Sequence, residues 1–179
     1  MFVKNKMLGL LSALLILTIF YGCGSLIVGT FVISLDIKGG DIVTSADLSK
    51  FYVDLTKESE WNDHKDEIKY IDNVGFQLWV TNNGDDAVTG QLFASTDSSF
   101  ADTTEVRDSA ILILDGLILP PGVQTYVDWP SSLTYLREVD KIKKLVEGGK
   151  FAVYALTTTL PFDITVDSAT VIVTVTAGS

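Results

Sequence analysis

The side chains with the most distinctive chemistry in this chain are also the rarest. One cysteine, Cys23, and one histidine, His64, stand among 23 acidic residues. A nucleophilic triad requires a base beside a nucleophile, and a protein metal centre requires several ligands. A single histidine among Asp63, Asp66 and Glu67 supplies neither. The sequence therefore predicts no catalytic residue, no metal site, no cofactor and no enzymatic activity, with His64 exposed and structural.

Carboxylates leave two further kinds of chemistry open. A pair of Asp or Glu residues can hydrolyse glycosides when a cleft holds them at a suitable separation, and clustered carboxylates can bind calcium. Most acidic residues here fall in turn sequences, where Asp is favoured for backbone reasons. The acidic segments 82–86 and 97–108 lack the alternating Asp/Asn spacing, with its Gly and final Glu, of a calcium-binding loop. Neither chemistry is the favoured interpretation.

Cys23 follows an N-terminal segment with three successive compositions. Lys4 and Lys6 come first, an apolar run occupies residues 7–20, and small residues surround the cysteine at 22–25. The order basic, apolar, small is that of a secretory signal peptide. A lone thiol at this place is better explained as a lipid attachment point than as a core residue or a nucleophile.

The junction before Cys23 resembles the lipobox of bacterial lipoproteins, in which a small residue precedes the lipid-modified cysteine. Gly22 and Cys23 carry the resemblance. It implies a signal peptide over residues 1–22, a palmitate-type acyl chain on Cys23, and attachment to either the outer membrane or the outer face of the cytoplasmic membrane of a bacterium. Because Phe20 and Tyr21 depart from the pattern, an uncleaved membrane anchor stays open as the alternative.

The net charge argues against nucleic acid as a partner. The whole chain has a formal charge of −10, and removal of the leader takes two lysines and no carboxylate, so the mature chain has −12. Such a surface repels phosphate, and no stripe of Lys and Arg provides the positive patch that backbone binding requires. Membrane attachment is therefore expected only through the N-terminal lipid.

Three tryptophans, Trp61, Trp79 and Trp129, are candidates for contacting a protein or glycan partner, because exposed aromatic rings are enriched at binding surfaces. Trp79 alternates with apolar residues and shares its strand face with Gln77 and Thr81. It is therefore the best candidate for a role outside the core. Packing beneath a neighbouring strand or helix is the favoured alternative for all three.

Alternation of apolar and polar residues predicts seven to nine strands. The strand segments are residues 31–37, 51–55, 73–82, 88–94, 110–119, 123–129, 151–157 and 164–176. The Asn-rich turn at 82–86 predicts that the third and fourth of these form an antiparallel hairpin. Helical spacing predicts two short helices, at 59–69 and 132–147. Residues 95–108 are expected to form a surface loop.

Many short strands with turn signals predict a mainly β fold, an antiparallel immunoglobulin-like β-sandwich with one or two short inserted helices behind an N-terminal signal helix. The domain is expected over residues 31–179, joined by a short tether at 23–30 to the membrane.

Residues 80–129 resemble the bacterial immunoglobulin-like modules of the CARDB type, which occur in cell-surface and adhesion proteins. The matching segments are Val80-Thr81-Asn82-Asn83-Gly84, Ala94-Ser95-Thr96-Asp97-Ser98-Ser99-Phe100 and Leu119-Pro120-Pro121-Gly122. The resemblance implies a binding or spacing unit without catalytic residues.

These observations favour a non-enzymatic, lipid-anchored protein of the cell envelope that binds or spaces another surface component, which is a protein or a glycan. Two alternatives stay open. The chain could be a surface-filament subunit whose apolar strand, residues 26–37, inserts into a neighbour. It could also carry a hydrophobic ligand inside the sandwich.

Overall fold

The computed structural model describes residues 29–37, 40–44, 47–157 and 159–177. The predicted signal peptide, Cys23 and most of the tether lie outside these residues. The strands are β1 (Gly29–Ile37), β2 (Gly40–Thr44), β3 (Leu48–Asp54), β4 (Ile68–Asn82), β5 (Val88–Ser95), β6 (Ile111–Leu114), β7 (Ile118–Leu119), β8 (Gln124–Val127), β9 (Lys150–Thr157) and β10 (Phe162–Ala177). The helices are a 3₁₀ turn (Leu55–Lys57), α1 (Ser59–His64), α2 (Thr103–Ser109), α3 (Trp129–Ser132) and α4 (Val139–Gly148).

The strands form two antiparallel sheets. Sheet A has the order β1-β10-β4-β8, and β2 also pairs with β10, beyond the end of β1. Sheet B has the order β3-β9-β5-β6, and β7 likewise pairs with β5 beyond β6. Counting β1 with β2 and β6 with β7, the described residues fill eight strand positions. The predicted mainly β, antiparallel sandwich is confirmed.

The order of pairing is that of a jelly roll. Numbered along the chain, the first strand position pairs with the eighth, the second with the seventh, the third with the sixth and the fourth with the fifth. This is one long hairpin rolled into two sheets. The immunoglobulin-like strand order was therefore the wrong choice among sandwiches, because that fold divides its strands as ABED and CFG. Alternation determines which side chains face inward, but it does not determine the partner of a strand.

The predicted hairpin at Asn82 is a crossing between the sheets. β4 lies in sheet A and β5 in sheet B. Asn82 is fully buried at the crossing, where its Nδ2 donates to the carbonyls of Asp86 at 2.8 Å and Leu119 at 2.9 Å. Its Oδ1 accepts from the Gly84 amide at 3.0 Å. The turn predicted from the Asn-Asn-Gly sequence is present. The hairpin is not, because the buried Asn82 amide joins this turn to β7 and the two flanking strands lie in different sheets.

The core lies between the inner faces of the sheets. Ile33, Val80, Val173 and Val175 are among its fully buried side chains, as the alternation along β1, β4 and β10 predicts. At one end, α4 and Trp61 fill the space between the sheets, and Trp61 is only 4% exposed. The packing alternative is therefore confirmed for Trp61.

A second, smaller core lies on the outer face of sheet B. The predicted loop 95–108 contains α2, which begins after Asp102, whose carboxylate accepts from the Thr104 and Glu105 amides. Val106 of this helix is fully buried in one cluster with Phe93 and Tyr154. The outer face of sheet B is therefore covered here by the segment that carries α2.

Both predicted helices are shorter than expected. α1 ends at His64, and β4 already begins at Ile68. Ile68, Ile71 and Val74 recur every three residues, which resembles a helix. They face inward from a strand because register shifts in the β4–β10 pairing leave an extra residue between successive inward positions. In the segment 132–147, Ser132 ends α3, residues 133–138 are not helical, and only α4 from Val139 onward matches the prediction.

The connections define two ends of the sandwich. The end that carries α1 and α4, called the helix end, also holds the start of β1, because α1 contacts β1 and Gly29 pairs with Ala177. The opposite end, called the turn end, carries the connections at 83–87, 120–123 and 159–161. None of the helices in the described ranges has the length and hydropathy needed to cross a bilayer.

Candidate binding surface

Trp79 and Tyr126 form a stacked aromatic pair on the outer face of sheet A. They are opposite each other in the register of β4 and the edge strand β8. Their ring centroids lie 4.2 Å apart with an interplanar angle of 22°. Trp79 is 41% exposed and Tyr126 46%, because the residues that alternate with Trp79 turn inward. The prediction that Trp79 points away from the core is confirmed.

Trp129, the third candidate, lies on the same outer face but serves packing. It begins α3 and contacts the sheet over Gly75, where a side chain would overlap the indole ring. Ser132 of the same short helix accepts a hydrogen bond from the Phe76 amide at 3.0 Å. Gly75 is therefore required where α3 crosses β4, and Trp129 is half-buried against it.

A β-bulge lies beside Trp79. On β10, Val166 pairs with Val80 and Ser168 pairs with Trp79, so Asp167 is an extra residue between them. Bulges redirect side chains and occur often beside functional sites. Here the extra residue puts both Asp167 and Ser168 on the exposed side of sheet A.

The Asp167 carboxylate is held by two neutral donors. Its Oδ2 accepts from Thr81 Oγ1 at 2.9 Å and from Gln124 Nε2 at 3.1 Å. Thr81 and Gln124 are themselves register partners on β4 and β8. Within the described part of the chain, Asp167 Oδ1 accepts no hydrogen bond. The carboxylate is therefore fixed in orientation with one acceptor atom available.

These residues form one surface, called the Trp79 site: Thr81, Trp79, Gln124, Tyr126, Asp167 and Ser168. One face of the Trp79 ring is occupied by Tyr126. On its other side the β10 partner is Ser168, which is small and exposed. That side of the indole is therefore open above Ser168, beside the carboxylate of Asp167.

The strands of sheet A are acidic. They contain five aspartates and one lysine, Lys69, which lies near the helix end of β4. Three threonines of β10 donate to aspartates on flanking strands, each at 2.7 Å. These pairs are Thr165 with Asp41, Thr170 with Asp36, and Thr176 with Asp72. The Trp79 site therefore lies in a sheet whose charge disfavours anionic ligands.

Three other carboxyl groups have roles in turns and caps. The Ser99 hydroxyl and amide hold the pKa of Asp97 below its ordinary value of 3.8. Hydrogen bonds from Ser131 lower the pKa of Asp128 at the start of α3. The Thr56 hydroxyl, with Lys150 and Lys57 nearby, lowers that of Asp54. A general acid near neutral pH needs a raised pKa, so these three groups have the wrong shift for that role.

The single histidine and the clustered carboxylates do not form a metal centre in the described part of the chain. No group of three or more His, Cys, Asp or Glu side chains there could hold a metal ion. His64 is half-buried as a residue, its side chain is 45% exposed, and its Nδ1 lies 3.8 Å from Glu67 Oε2, so the expectation of an exposed His64 holds in part.

Two surface clefts lie away from the Trp79 site. One, of about 380 Å³ at the helix end, is lined by residues that include Trp61, Lys65 and Glu147. The other, of about 390 Å³, lies between α2 and β7 and includes Arg107 and Asp115. Both linings mix charges of opposite sign, which does not match the apolar interior cavity that a carrier of a hydrophobic ligand would use.

Sequence reasoning found Trp79 but missed Tyr126, Gln124 and Asp167. A signal for the bulge was present in β10. Its apolar residues occupy even positions up to Val166 and, apart from Ile172, odd positions from Ala169 onward. A change of phase within one strand indicates an extra residue.

Comparisons with known proteins give no family. No family model and no curated protein matches the chain. Among solved structures, Mud crab tombus-like virus is 10% identical with a TM-score of 0.41, covering 85% of this chain and 81% of that one. Desmodium yellow mottle tymovirus is 13% identical with a TM-score of 0.36, covering 85% and 87%.

Infectious bursal disease virus of the Gx strain is 10% identical with a TM-score of 0.37, covering 87% of this chain and 33% of that one. Similarities this weak support no conclusion about what the chain does. The resemblance to CARDB-type modules stays a prediction.

Proposed function

We propose that this chain is a non-enzymatic, lipid-anchored protein of the bacterial cell envelope that binds another envelope component through the Trp79 site. The observation that carries the proposal is the exposed Trp79–Tyr126 pair beside the oriented carboxylate of Asp167. Exposed large aromatics with a few fixed polar groups are typical of recognition surfaces. The three carboxyl groups with a lowered pKa, those of Asp54, Asp97 and Asp128, form hydrogen bonds within turns and helix caps, so their role is structural.

The N-terminal sequence supports the anchor, and the fold predicts how far the Trp79 site would lie from it. β1 begins at Gly29, so only residues 24–28 separate it from Cys23. At no more than about 3.6 Å per residue, the helix end would stay within about 22 Å of the acylated cysteine. Trp79 lies about 36 Å along β4 from Ile68, at roughly 3.3 Å per residue. An anchor at Cys23 would therefore hold the Trp79 site away from the membrane.

The filament alternative requires an N-terminal strand that is free to enter a neighbour. In this chain β1 pairs with β10 along its whole length, from Gly29 opposite Ala177 to Ile37 opposite Ala169. Ile33 and Leu35 of β1 are buried in the chain's own core. Donation to a neighbour would break these pairs, which is why we favour a binding module.

Co-sedimentation with cell-wall material tests the proposed binding. The full chain, kept in detergent micelles, is mixed with delipidated cell walls and centrifuged. We expect the wild type to sediment and Trp79→Ala to remain in the supernatant. Tyr52→Ala provides the matched control, because Tyr52 is 65% exposed on sheet B and lies outside the Trp79 site. Equal sedimentation of Trp79→Ala and the wild type, or none by the wild type, would contradict the proposal.

The anchor has a separate test. Intact-mass measurement of the membrane-extracted chain should give a polypeptide that starts at Cys23 and carries acyl chains. The Cys23→Ser variant should retain residues 1–22 and lack the added mass. A membrane-extracted wild type that still begins at Met1 would instead support an uncleaved anchor.

A further inference from the structure

We infer that the ligand of the Trp79 site is a neutral glycan, bound with one sugar ring on the open face of Trp79 and its hydroxyl groups on Asp167 and Gln124. This inference rests on the proposed binding function and adds the chemical class of the partner. It draws on the ring geometry, the bulge and the charge of sheet A.

The open indole face fits a pyranose. A sugar ring presents C–H groups with a small positive charge on its flat side, and an aromatic face carries the negative part of its quadrupole. Trp79 stacks on Tyr126 with 4.2 Å between the ring centroids, which fixes the orientation of the indole before a ligand binds. The β10 residue opposite is Ser168, whose small side chain leaves space for a ring-sized group.

The polar groups beside Trp79 fit hydroxyl groups. Asp167 Oδ2 is already bonded to Thr81 and Gln124, which fixes the carboxylate and leaves Oδ1 to accept from a ligand. The donors that fix it are an amide and a hydroxyl, so the carboxylate keeps its charge unpaired. Hydrogen bonds to a charged acceptor are stronger than neutral ones. A fixed acceptor beside an aromatic wall recognises a ligand with both an apolar face and O–H groups.

The charge of the surroundings selects among glycans. Asp41, Asp163 and Asp167 lie on the strands at the turn end of sheet A, and the only lysine of its strands, Lys69, lies at the other end. Phosphate-bearing and uronic-acid polymers would be repelled there. A basic peptide would be attracted by the charge, but its binding would depend on ionic strength more than on one ring face.

Titration calorimetry of the full chain in detergent micelles separates these ligands. The probes are short neutral oligomers of N-acetylglucosamine, glucose, galactose and mannose, an oligogalacturonate and an oligolysine. We expect at least one neutral oligomer to bind, with no binding of the oligogalacturonate. Trp79→Ala should weaken the binding by about tenfold or more, and Asp167→Asn by about three- to tenfold, while Tyr52→Ala should leave it unchanged. Raising the salt from about 0.05 M to about 0.5 M should change the affinity of the neutral oligomer less than twofold.

Acrylamide quenching gives a second readout that does not depend on folding of the variants. Trp61 is buried and Trp129 half-buried, so the quencher reaches mainly Trp79. A bound neutral oligomer should protect the fluorescence of the wild type. Binding that survives Trp79→Ala, or binding of oligolysine alone, would overturn the inference. A third outcome separates the two proposals: Trp79→Ala no longer sediments with cell walls, yet no neutral oligomer binds the wild type. That result would overturn the inference of a glycan ligand and leave the proposed binding function standing.

Discussion

Asn82 links the two sheets through one buried side chain. Its amide satisfies the carbonyl of Asp86 in the turn and that of Leu119, and the bond to Leu119 is buried, so no water replaces it there. A buried polar group left without its partner costs about 1–3 kcal/mol. Asn82→Ala should therefore lower the free energy of unfolding by that amount or more in urea denaturation.

The neighbouring residue provides the control. Asn83 is exposed and donates to Asp163 Oδ1 and Thr165 Oγ1 at 3.0 Å each, where water can substitute. Asn83→Ala should cost no more than about 0.5 kcal/mol. Equal losses for the two variants would show that the crossing does not depend on the Asn82 amide.

At the scale of single residues, the sequence predicted which way the Trp79 side chain points but not which residues surround it. The alternation of Leu78, Trp79 and Val80 was enough to turn the indole outward. Nothing in the same pattern places Asp167 on the neighbouring strand, because positions 79 and 167 are 88 residues apart and their proximity depends on the pairing of β4 with β10. Gln124 and Tyr126 were missed for the same reason, since β8 was predicted as a strand without a known neighbour.

Among the elements, the bulge in β10 makes a specific prediction. Deleting Asp167 would leave Val166 opposite Val80 and Ser168 opposite Trp79 in a regular ladder, with every buried residue still facing inward. The deletion should therefore still unfold cooperatively, with a loss of about 1–3 kcal/mol for the two hydrogen bonds to Asp167. Cell-wall binding should be lost.

Deletion of Thr170 is the matched control. It falls in the regular part of β10, where a shift of one residue exchanges the two faces of a strand. Val171 and Val173 would then face outward, and cooperative unfolding should disappear in circular dichroism. A deletion of Asp167 that behaves like the deletion of Thr170 would mean that the bulge holds the fold and is not an addition for binding.

The regularity of a strand decided whether it could be predicted from the sequence. Regular alternation identified β1, most of β4 and most of β10 correctly. The helix predicted at 59–69 was half wrong because extra residues in β4 give Ile68, Ile71 and Val74 a spacing of three, which matches a helix. The segment 95–108 was predicted as a loop but contains α2. This helix buries only Val106, and one buried residue does not produce a helical spacing in the sequence.

For the whole molecule, the fold predicts an orientation on the membrane. β1 begins at Gly29 at the helix end, so an acyl chain on Cys23 would hold that end within about 22 Å of the acylated cysteine, whereas Asp85 and Asp86 lie at the turn end. We therefore expect the helix end to face the bilayer.

Fluorescence quenching measures this orientation. Cys23 is the only cysteine and would be acylated, so a dye can be attached to a single new thiol in Lys144→Cys or Asp85→Cys. In vesicles that contain headgroup spin labels, the dye at position 144 should be quenched several-fold more than the dye at 85. Equal quenching would mean that the tether leaves the sandwich without a preferred orientation.

The architecture as a whole was predictable only in part. Composition and alternation established a mainly β, antiparallel sandwich. The choice of a jelly roll over an immunoglobulin-like order depends on which distant strands pair, such as β1 with β10 at opposite ends of the chain. The inner faces of both folds have the same alternation, so the sequence pattern does not separate them.

Hydroxyl-radical footprinting of the full chain in intact cells tests the central claim most directly. Trp79 and Tyr126 are open in the isolated protein, as is Tyr52 on the other sheet. If the Trp79 site binds an envelope component, oxidation of Trp79 and Tyr126 should fall several-fold in cells relative to the purified chain, while oxidation of Tyr52 stays the same. Unchanged oxidation of Trp79, or protection of Tyr52 in its place, would contradict the assignment of the outer face of sheet A as the binding surface.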